Sequence, residues 1–460
     1  MSFITDTIAG SRRTRAPRVA VLGATLGTGN MGVDALGAAT VQELVALDQG
    51  VEILYQSWVN EPIEIGFGGQ SHRCEPLVIR RRPNLLRQNS VEQLRRVARL
   101  QKRFGPVSSQ MAAFLPAWRR LRSCDLVLDI SAGDSFADTY GERIFWYQSQ
   151  IKLMCLDAGV PLVLLPQTIG PFNLESSRRT AADILRRALL VATREAAGVD
   201  EILQLCGPHS PPHVVESPDV AFVLEPSATP LPARAEAQVE GKVGPLIAVN
   251  VSGLLFAKGD QFDLVTDYPD LMVRLLRWAL SQPQSRVLLV PHVVPTGGGA
   301  KGSPTQDTTD NSACEALLRR LEPHEVERID ILAGADDPAK AKYAMAESDF
   351  FVGARMHAFI GAVSLATPGA LLAYSKKAAG TAGMAGFADT VVDLRSLAAD
   401  GVIAAVDRLY VNRSSLRERL LRDVAGLKRR VRRFFQEELS PLISSTVSEN
   451  ERSPPKKSVL

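Results

Sequence analysis

DFFVGARMHAFIGAVSLATPGALLAYSKKAAG, residues 349–380, holds two strands, a helix and a polar loop in one run. Phe350-Phe351-Val352 is a short apolar segment ending at Gly353, the pattern of a parallel strand covered on both faces. Arg355 and His357 follow at once, where strand gives way to helix, beside the unpaired N–H groups and positive dipole end that favour an anion. Small residues fill the helix from Ala358 to Ala366, so it can lie close on a sheet, and Thr367-Pro368-Gly369 stops it. Ala370 to Ala373 reads as the next strand. Tyr374, Ser375, Lys376 and Lys377 stand beyond its carboxyl end, the edge at which open α/β sheets bind ligands. A lone histidine in such a place is ordinarily a surface residue. Arg355, His357 and Lys377 gathered at neighbouring strand ends favour a site.

The same punctuation recurs upstream. Val19 to Leu22 is a strand, and the loop Gly23 to Gly32 opens a helix over Val33 to Leu47. Gly27-Thr-Gly29-Asn-Met-Gly32 matches a dinucleotide fingerprint in letter, but the following strand, Val51 to Tyr55, ends at Gln56 instead of an acid, which argues against NAD. No Gly-Lys-Ser/Thr closes the glycines, so a P-loop is absent. Asn30, Gly32 and Asp34 then stand at a helix start, either touching a polar substrate or capping the helix. Strand Asp125 to Ile130 delivers Ser131-Ala-Gly133-Asp134-Ser135, where small residues admit a ligand to the backbone and Asp134 and Ser135 offer hydrogen bonds. Strand Pro161 to Leu165 leads to Gln167, and Val191-Ala-Thr-Arg194 places a guanidinium fork for a carboxylate or phosphate, with an ion pair to a nearby acid as the plainer reading.

After Pro218-Asp219 the pattern starts again. Leu246 to Val251 ends at Ser252, Arg286 to Val290 ends at Pro291-His292, and the polar stretch Pro295 to Asp310 is expected to be a mobile loop that closes over ligand. These alternations imply two βαβ-rich halves facing across a cleft. The expected division is a flexible leader over 1–17, a first domain over 18–225, a linker over 226–244, a second domain over 245–395, helices over 396–443 and a disordered tail over 444–460. The long helix near Arg413 to Leu439 is amphipathic and basic.

A chain of 460 residues suffices for two such domains, each with its own core. A net charge of +3 against 53 basic and 50 acidic residues gives no case for a nucleic-acid partner. Arg80-Arg81-Arg82, Arg95-Arg96, Lys428-Arg429-Arg430 and Arg432-Arg433 read as solvated helix faces, with transient contact to an anionic membrane surface as the alternative. Cys74, Cys124, Cys155, Cys206 and Cys314 form no C-x-x-C pair, and no acidic triad or histidine cluster demands a metal. Neither a signal peptide nor a membrane span is visible, so a cytoplasmic protein is expected, either free or peripheral to the inner face of the membrane.

Taken as a series, the strand-end clusters resemble the polysaccharide pyruvyl transferase family. The matching segments are Asn30-Met-Gly32 with Asp34, Ser131-Ala-Gly133-Asp134-Ser135, Pro166-Gln167-Thr168-Ile169-Gly170-Pro171, Arg194-Glu195, Pro218-Asp219, Pro291-His292, Gly353-Ala-Arg355-Met-His357 and Tyr374-Ser375 with Lys377. The resemblance implies an α/β fold of two Rossmann-like domains in a glycosyltransferase-B-like arrangement. It also implies phosphoenolpyruvate as donor co-substrate, no further cofactor, and a sugar acceptor in a surface-polysaccharide pathway. Val33 intervenes before Asp34 where many members read Asn-x-Gly-Asp, and Gly133-Asp134 replaces a common Gly-Gly; both departures fall on the expected acceptor side. Under this reading Arg194, Arg355 and His357 are catalytic. Asn30, Gly32, Asp34, Gly133, Asp134, Ser135, Gln167, Ser252, His292, Tyr374, Ser375 and Lys377 contact substrates. Two rivals share the architecture: a nucleotide-sugar glycosyltransferase, which needs a pocket for a base, and a non-catalytic ligand-binding homologue.

Overall fold

The computed structural model describes residues 15–67, 70–80, 89–104, 115–207, 213–295, 308–334 and 337–452. In the first half the strands are β1 (Arg18–Leu22), β2 (Glu52–Ser57), β3 (Ile63–Phe67), β4 (Gln70–Val78), β5 (Leu126–Asp129), β6 (Leu162–Gln167), β7 (Leu190–Thr193) and β8 (Val214–Glu216). They form one sheet in the order β3-β4-β2-β1-β5-β6-β7-β8, parallel except for the antiparallel β3–β4 pair. The second half supplies β9 (Leu246–Asn250), β10 (Arg286–Leu289), β11 (Ile329–Ile331), β12 (Phe350–Gly353), β13 (Gly369–Ala373) and β14 (Val391–Asp393). These make an all-parallel sheet in the order β11-β10-β9-β12-β13-β14. The chain reverses direction across each sheet between β1 and β5 and between β9 and β12. Loops that diverge at such a switch point leave a crevice at the strands' carboxyl ends.

Alternation along the central strands builds the layers. In β1, Val19 and Val21 face one way and Ala20 and Leu22 the other; in β9, Leu246 and Ala248 oppose Ile247 and Val249. The outward faces are covered by separate sets of helices, among them Glu142–Asp157 on the first sheet and Tyr268–Ser281 on the second. The inward faces share a single core. Val21 and Leu128 from the first sheet, Ala248 and Phe351 from the second, and Leu36 and Phe359 from intervening helices belong to one continuous cluster. The expectation of two private cores is corrected here, because helices Met31–Leu47 and Met356–Val363 pack between the sheets and are apolar on most of their surface.

The C-terminal segment joins that shared core. Helix Arg413–Arg433 presents Leu416, Leu420, Val424, Leu427 and Val431 on one stripe, and continues through the π-helical turn Phe434–Leu439 into a helix over Ser440–Arg452. Phe435, Leu439, Ile443 and Val447 are all buried. The tail expected to be disordered from residue 444 is therefore helical to Arg452, held by apolar anchors that its polar composition hides; 453–460 lie outside the described residues. The expected linker likewise contains a helix, Ala233–Gly241. Arg432, one of the basic-cluster residues, stays exposed and pairs with Glu43 at 3.5 Å and Glu225 at 3.3 Å. Among the described residues no helix is long and apolar enough to cross a membrane.

Truncating Phe435 to Ala removes a buried ring from this junction and is expected to cost about 3–5 kcal/mol. Leu421→Ala, on the exposed face, should change stability by less than about 0.5 kcal/mol. Urea unfolding of the two variants measures the difference, and equal losses would show that the helix is not docked.

Candidate active site

Arg194 follows the last residue of β7 and is buried completely. Its Nη1 donates to Asp219 Oδ2 and its Nε to Thr168 Oγ1 at 3.2 Å, so the plainer reading of this arginine, a buried ion pair, is realised. Asp219 caps the short turn Val220–Val223 by accepting the Ala221 N–H at 2.9 Å. The same Oδ2 that receives Arg194 lies 3.5 Å from His357 Nε2. That contact is an electrostatic pairing, too long for a formed hydrogen bond. Burial alone would raise the Asp219 pKa; Arg194 and then His357 outweigh it and hold the carboxyl well below its usual value.

His357 opens helix Met356–Val363 and reaches across to the first half. It can do so because two glycines make room. A methyl group on Gly32 would fall 2.6 Å from His357 Nδ1, and one on Gly133 would fall 3.1 Å from Arg194 Nη1 and 3.6 Å from His357 Cε1. Gly133 also holds φ at +87°, a conformation other residues resist. Arg194, Asp219, Gly133, Gly32 and His357 thus meet at one point between the sheets.

Arg355 lies beside them on the second half. Its backbone N–H donates to Asn250 Oδ1 at 3.0 Å, and its Nη2 donates to Asp310 Oδ1 at 2.8 Å. Asp310 is a buried anchor that also accepts the backbone N–H groups of Gly253, His292 and Val293. Burial opposes the charge on both arginines, but Asp219 and Asp310 more than compensate and raise both pKa values. Neither Arg194 Nη2 nor Arg355 Nη1 has a hydrogen bond among the described residues. His292 is buried and neither ring nitrogen has a hydrogen-bond partner among the described residues. Burial, aided by His357 and Arg355, drives its pKa down to about 3, so the ring is neutral at physiological pH. The His292 carbonyl accepts the Met31 N–H at 3.0 Å and Val294 N–H donates to Gly29 O at 2.7 Å, stitching the two halves at the cleft lip.

Asn30, Ser252, Asp34 and Gln167, all expected to touch substrate, make hydrogen bonds within the fold. Asn30 Oδ1 caps its helix through the Gly32 N–H at 3.1 Å, and Ser252 Oγ caps Gly253–Lys258 through Leu255 N–H at 3.4 Å. Helix starts leave backbone donors unpaired, and the nearest polar side chain answers them first. Asp34 points into its own loop, accepting from Gly27 N–H and Thr28 Oγ1, both at 3.2 Å. Gln167 is fully buried and uses its amide N–H groups on Asp129 O and Leu165 O, tying β5 to β6. Asp134 accepts from Tyr140, Ser135 is partly buried, and Tyr374 packs edge-on against Phe262 at 5.2 Å. Ser375 precedes helix Lys376–Met384, which contains Lys377, whose side chain lies outside the described residues. Of the expected lid, 296–307 also lie outside them, while Thr309 and Asp310 start the helix Asp310–Leu318. Asn250 and Asp310 were not singled out as site residues from the sequence, and Thr168 and Asp219 only within the resemblance. An acid's partner in the other half carries no local signal.

The sequence matches the family described as polysaccharide pyruvyl transferase over residues 30–376. The chain belongs to the polysaccharide pyruvyl transferase family. It is accordingly a transferase. No curated protein matches it in sequence. Solved structures share its fold at low identity. A protein of Listeria monocytogenes assigned as UDP-N-acetylglucosamine 2-epimerase is 12% identical with a TM-score of 0.56, covering 97% of this chain and 100% of its own. A UDP-forming α,α-trehalose-phosphate synthase of Burkholderia vietnamiensis is 13% identical with a TM-score of 0.53, covering 94% and 100%. The UDP-GlcNAc 2-epimerase of Neisseria meningitidis, bound to UDP-GlcNAc, is 12% identical with a TM-score of 0.50, covering 92% and 100%. These likenesses fix a glycosyltransferase-B-like pair of Rossmann-like domains for this family member and nothing about its substrates.

Burial raises the Asp34 carboxyl from 3.8 to about 7, against the Gly27 and Thr28 hydrogen bonds that lower it. A carboxyl raised in the fold gives its full contribution below its unfolded pKa and loses it as pH rises toward the folded one. Asp34→Asn keeps an acceptor oxygen without the charge, so its melting temperature should gain on the wild type between pH 5 and pH 8. An offset that is the same at both pH values would refute the assignment.

Proposed function

We propose that the protein transfers the pyruvyl group of phosphoenolpyruvate to two hydroxyls of one sugar, closing a pyruvate ketal on a polysaccharide or its precursor. The observation that carries this reading is the meeting of Arg194, Arg355 and His357 at one cleft, each guanidinium keeping an NH2 group without a hydrogen bond among the described residues. Phosphoenolpyruvate carries two anionic groups, a carboxylate and a phosphate, and two fixed forks suit them. Protonation of the methylene carbon makes the phosphate-bearing carbon electrophilic. A sugar hydroxyl attacks there and releases its proton. Phosphate then leaves with the C–O bonding electrons, and a second hydroxyl of the same sugar takes its place, its proton passing to phosphate or solvent. His357 serves this sequence as the proton donor, or by assisting phosphate departure, with Asp219 opposite its Nε2 to stabilise a positive ring.

The acceptor has its own candidate place. A cavity of about 250 Å³ is lined by Thr168, Ile169, Pro171, Glu195, Glu201 and Gly380, with no Lys, Arg or His in its wall among the described residues. Such a wall suits neutral hydroxyls and repels the donor. Thr168 joins it to the reacting centre, donating to Glu195 Oε1 while accepting from Arg194 Nε.

Replacing either arginine by Ala would strand a buried carboxylate, so lysine is the informative replacement: it keeps the charge and loses the fork. Arg194→Lys and Arg355→Lys are each expected to weaken phosphoenolpyruvate binding about tenfold or more, the scale of one charged hydrogen bond. His357→Gln should lower turnover about a hundredfold while changing donor affinity much less. Calorimetry with phosphoenolpyruvate, and phosphate release with a panel of sugars, measure both. Unchanged affinity in both lysine variants would place the donor elsewhere, and release of nucleoside diphosphate from a nucleotide sugar would identify the glycosyltransferase rival.

A further inference from the structure

Beneath the cleft floor lies a polar cluster that the reaction above does not use. Lys152, on helix Glu142–Asp157, is fully buried, and its Nζ donates to Asp129 Oδ1 at 2.8 Å and to Ser131 Oγ at 2.5 Å. Ser131 Oγ in turn donates to Asp129 Oδ1 at 2.7 Å. The ammonium also sits 4.6 Å from the Phe136 ring centroid, which closes the site on that side. Burying an ion pair is costly, and hydrophobic residues of the same volume often hold a core equally well. The cluster therefore calls for a reason other than stability.

We infer that Lys152, Asp129 and Ser131 are positioning residues that fix the height of the Gly133 floor under Arg194 and His357. Ser131, Ala132 and Gly133 form three consecutive left-handed residues, with φ of 43°, 54° and 87°. Two of them are not glycine, and such residues keep this conformation only where their surroundings over-determine it. The restraints are at hand. Ser131 is tied down by its hydroxyl, the Ala132 N–H donates to Gly23 O at 2.5 Å, and the Gly133 N–H donates to Ile130 O at 2.7 Å. The turn is thereby clamped between the ends of β1 and β5, at the switch point of the first sheet. From there Gly133 meets the Arg194 and His357 side chains, and its carbonyl accepts the Thr168 N–H at 2.8 Å, carrying the same position to the Thr168–Glu195 wall. A tilt of this turn would change how Gly133 bears on Arg194 and His357 while the Arg194–Asp219 pair stands.

The inference rests on the reading of Arg194 and His357 as the reacting centre, so the test has one readout that needs no reaction. Ser131→Ala removes only the hydroxyl, leaving the Lys152–Asp129 pair intact, and should fold with a melting temperature close to wild type. The double variant Asp129→Asn with Lys152→Met removes both charges together and guards against a folding effect of either alone. In each, turnover with phosphoenolpyruvate is expected to fall about tenfold or more, since a misplacement of about 1 Å can cost about a hundredfold. The His357 ring resonance, assigned by its absence in His357→Gln and recorded without substrate, should shift in both. Shifted resonances with no turnover even in the wild type would sink the pyruvyl transfer and leave the positioning role standing. An unmoved His357 resonance overturns the positioning role, whether turnover is retained or falls only in step with unfolding.

Discussion

A carboxylate taken out of water must be paired or protonated, and Asp219 meets that demand with the Arg194 guanidinium from one half and the His357 ring from the other. Arg194 comes from the end of β7 and His357 from the helix after β12, so one buried charge requires the halves to be in register. The turn that carries Asp219 is gripped from the second half as well. Lys342, buried on helix Pro338–Ala346, donates to the carbonyls of Ala221 and Phe222 at 3.3 and 3.4 Å. The electrostatics of the cleft and the cohesion of the two halves are therefore the same set of contacts. Disturbing Asp219 loosens both at once.

Arg355 repeats the arrangement with a different acid. Asp310 neutralises it and at the same time collects three backbone donors from the loops after β9 and β10. Each arginine is thus held by a carboxylate that has structural duties, with one end of its guanidinium left over. A site built this way is charged and rigid before any ligand arrives, which lowers the ordering cost of binding an anion.

The strand ends were legible because parallel strands buried on both faces leave unbroken apolar runs, as at Phe350-Phe351-Val352 and Leu162 to Leu165. Residues directly after such runs, Gly133, Arg194, Arg355 and His357, could be placed from that fact alone. The β3–β4 hairpin escaped notice although Ile63 and Ile65 alternate with Glu64 and Gly66, since an exposed edge ribbon buries too little to mark itself strongly. β8 and β14 are three residues each and carry no period. Side-chain direction was harder still. Asn30, Ser252 and Gln167 stand at the correct edge but turn back to satisfy backbone groups, a choice set by geometry that sequence spacing does not contain. Asp310 became visible only when Arg355, His292 and Gly253 were brought together around it.

The C-terminal helix has a consequence for how the molecule is made. Leu420, Val424, Val431, Phe435 and Ile443 complete the same core that begins with Val19 and Val21, about four hundred positions earlier in the chain. Synthesis runs from the N-terminus, and domains ordinarily fold as they emerge. Here helix Met31–Leu47 and the turn Val220–Val223 of the first half lack part of their cover until residues 420–443 have been translated. The first half, although the earliest made, is the last to close.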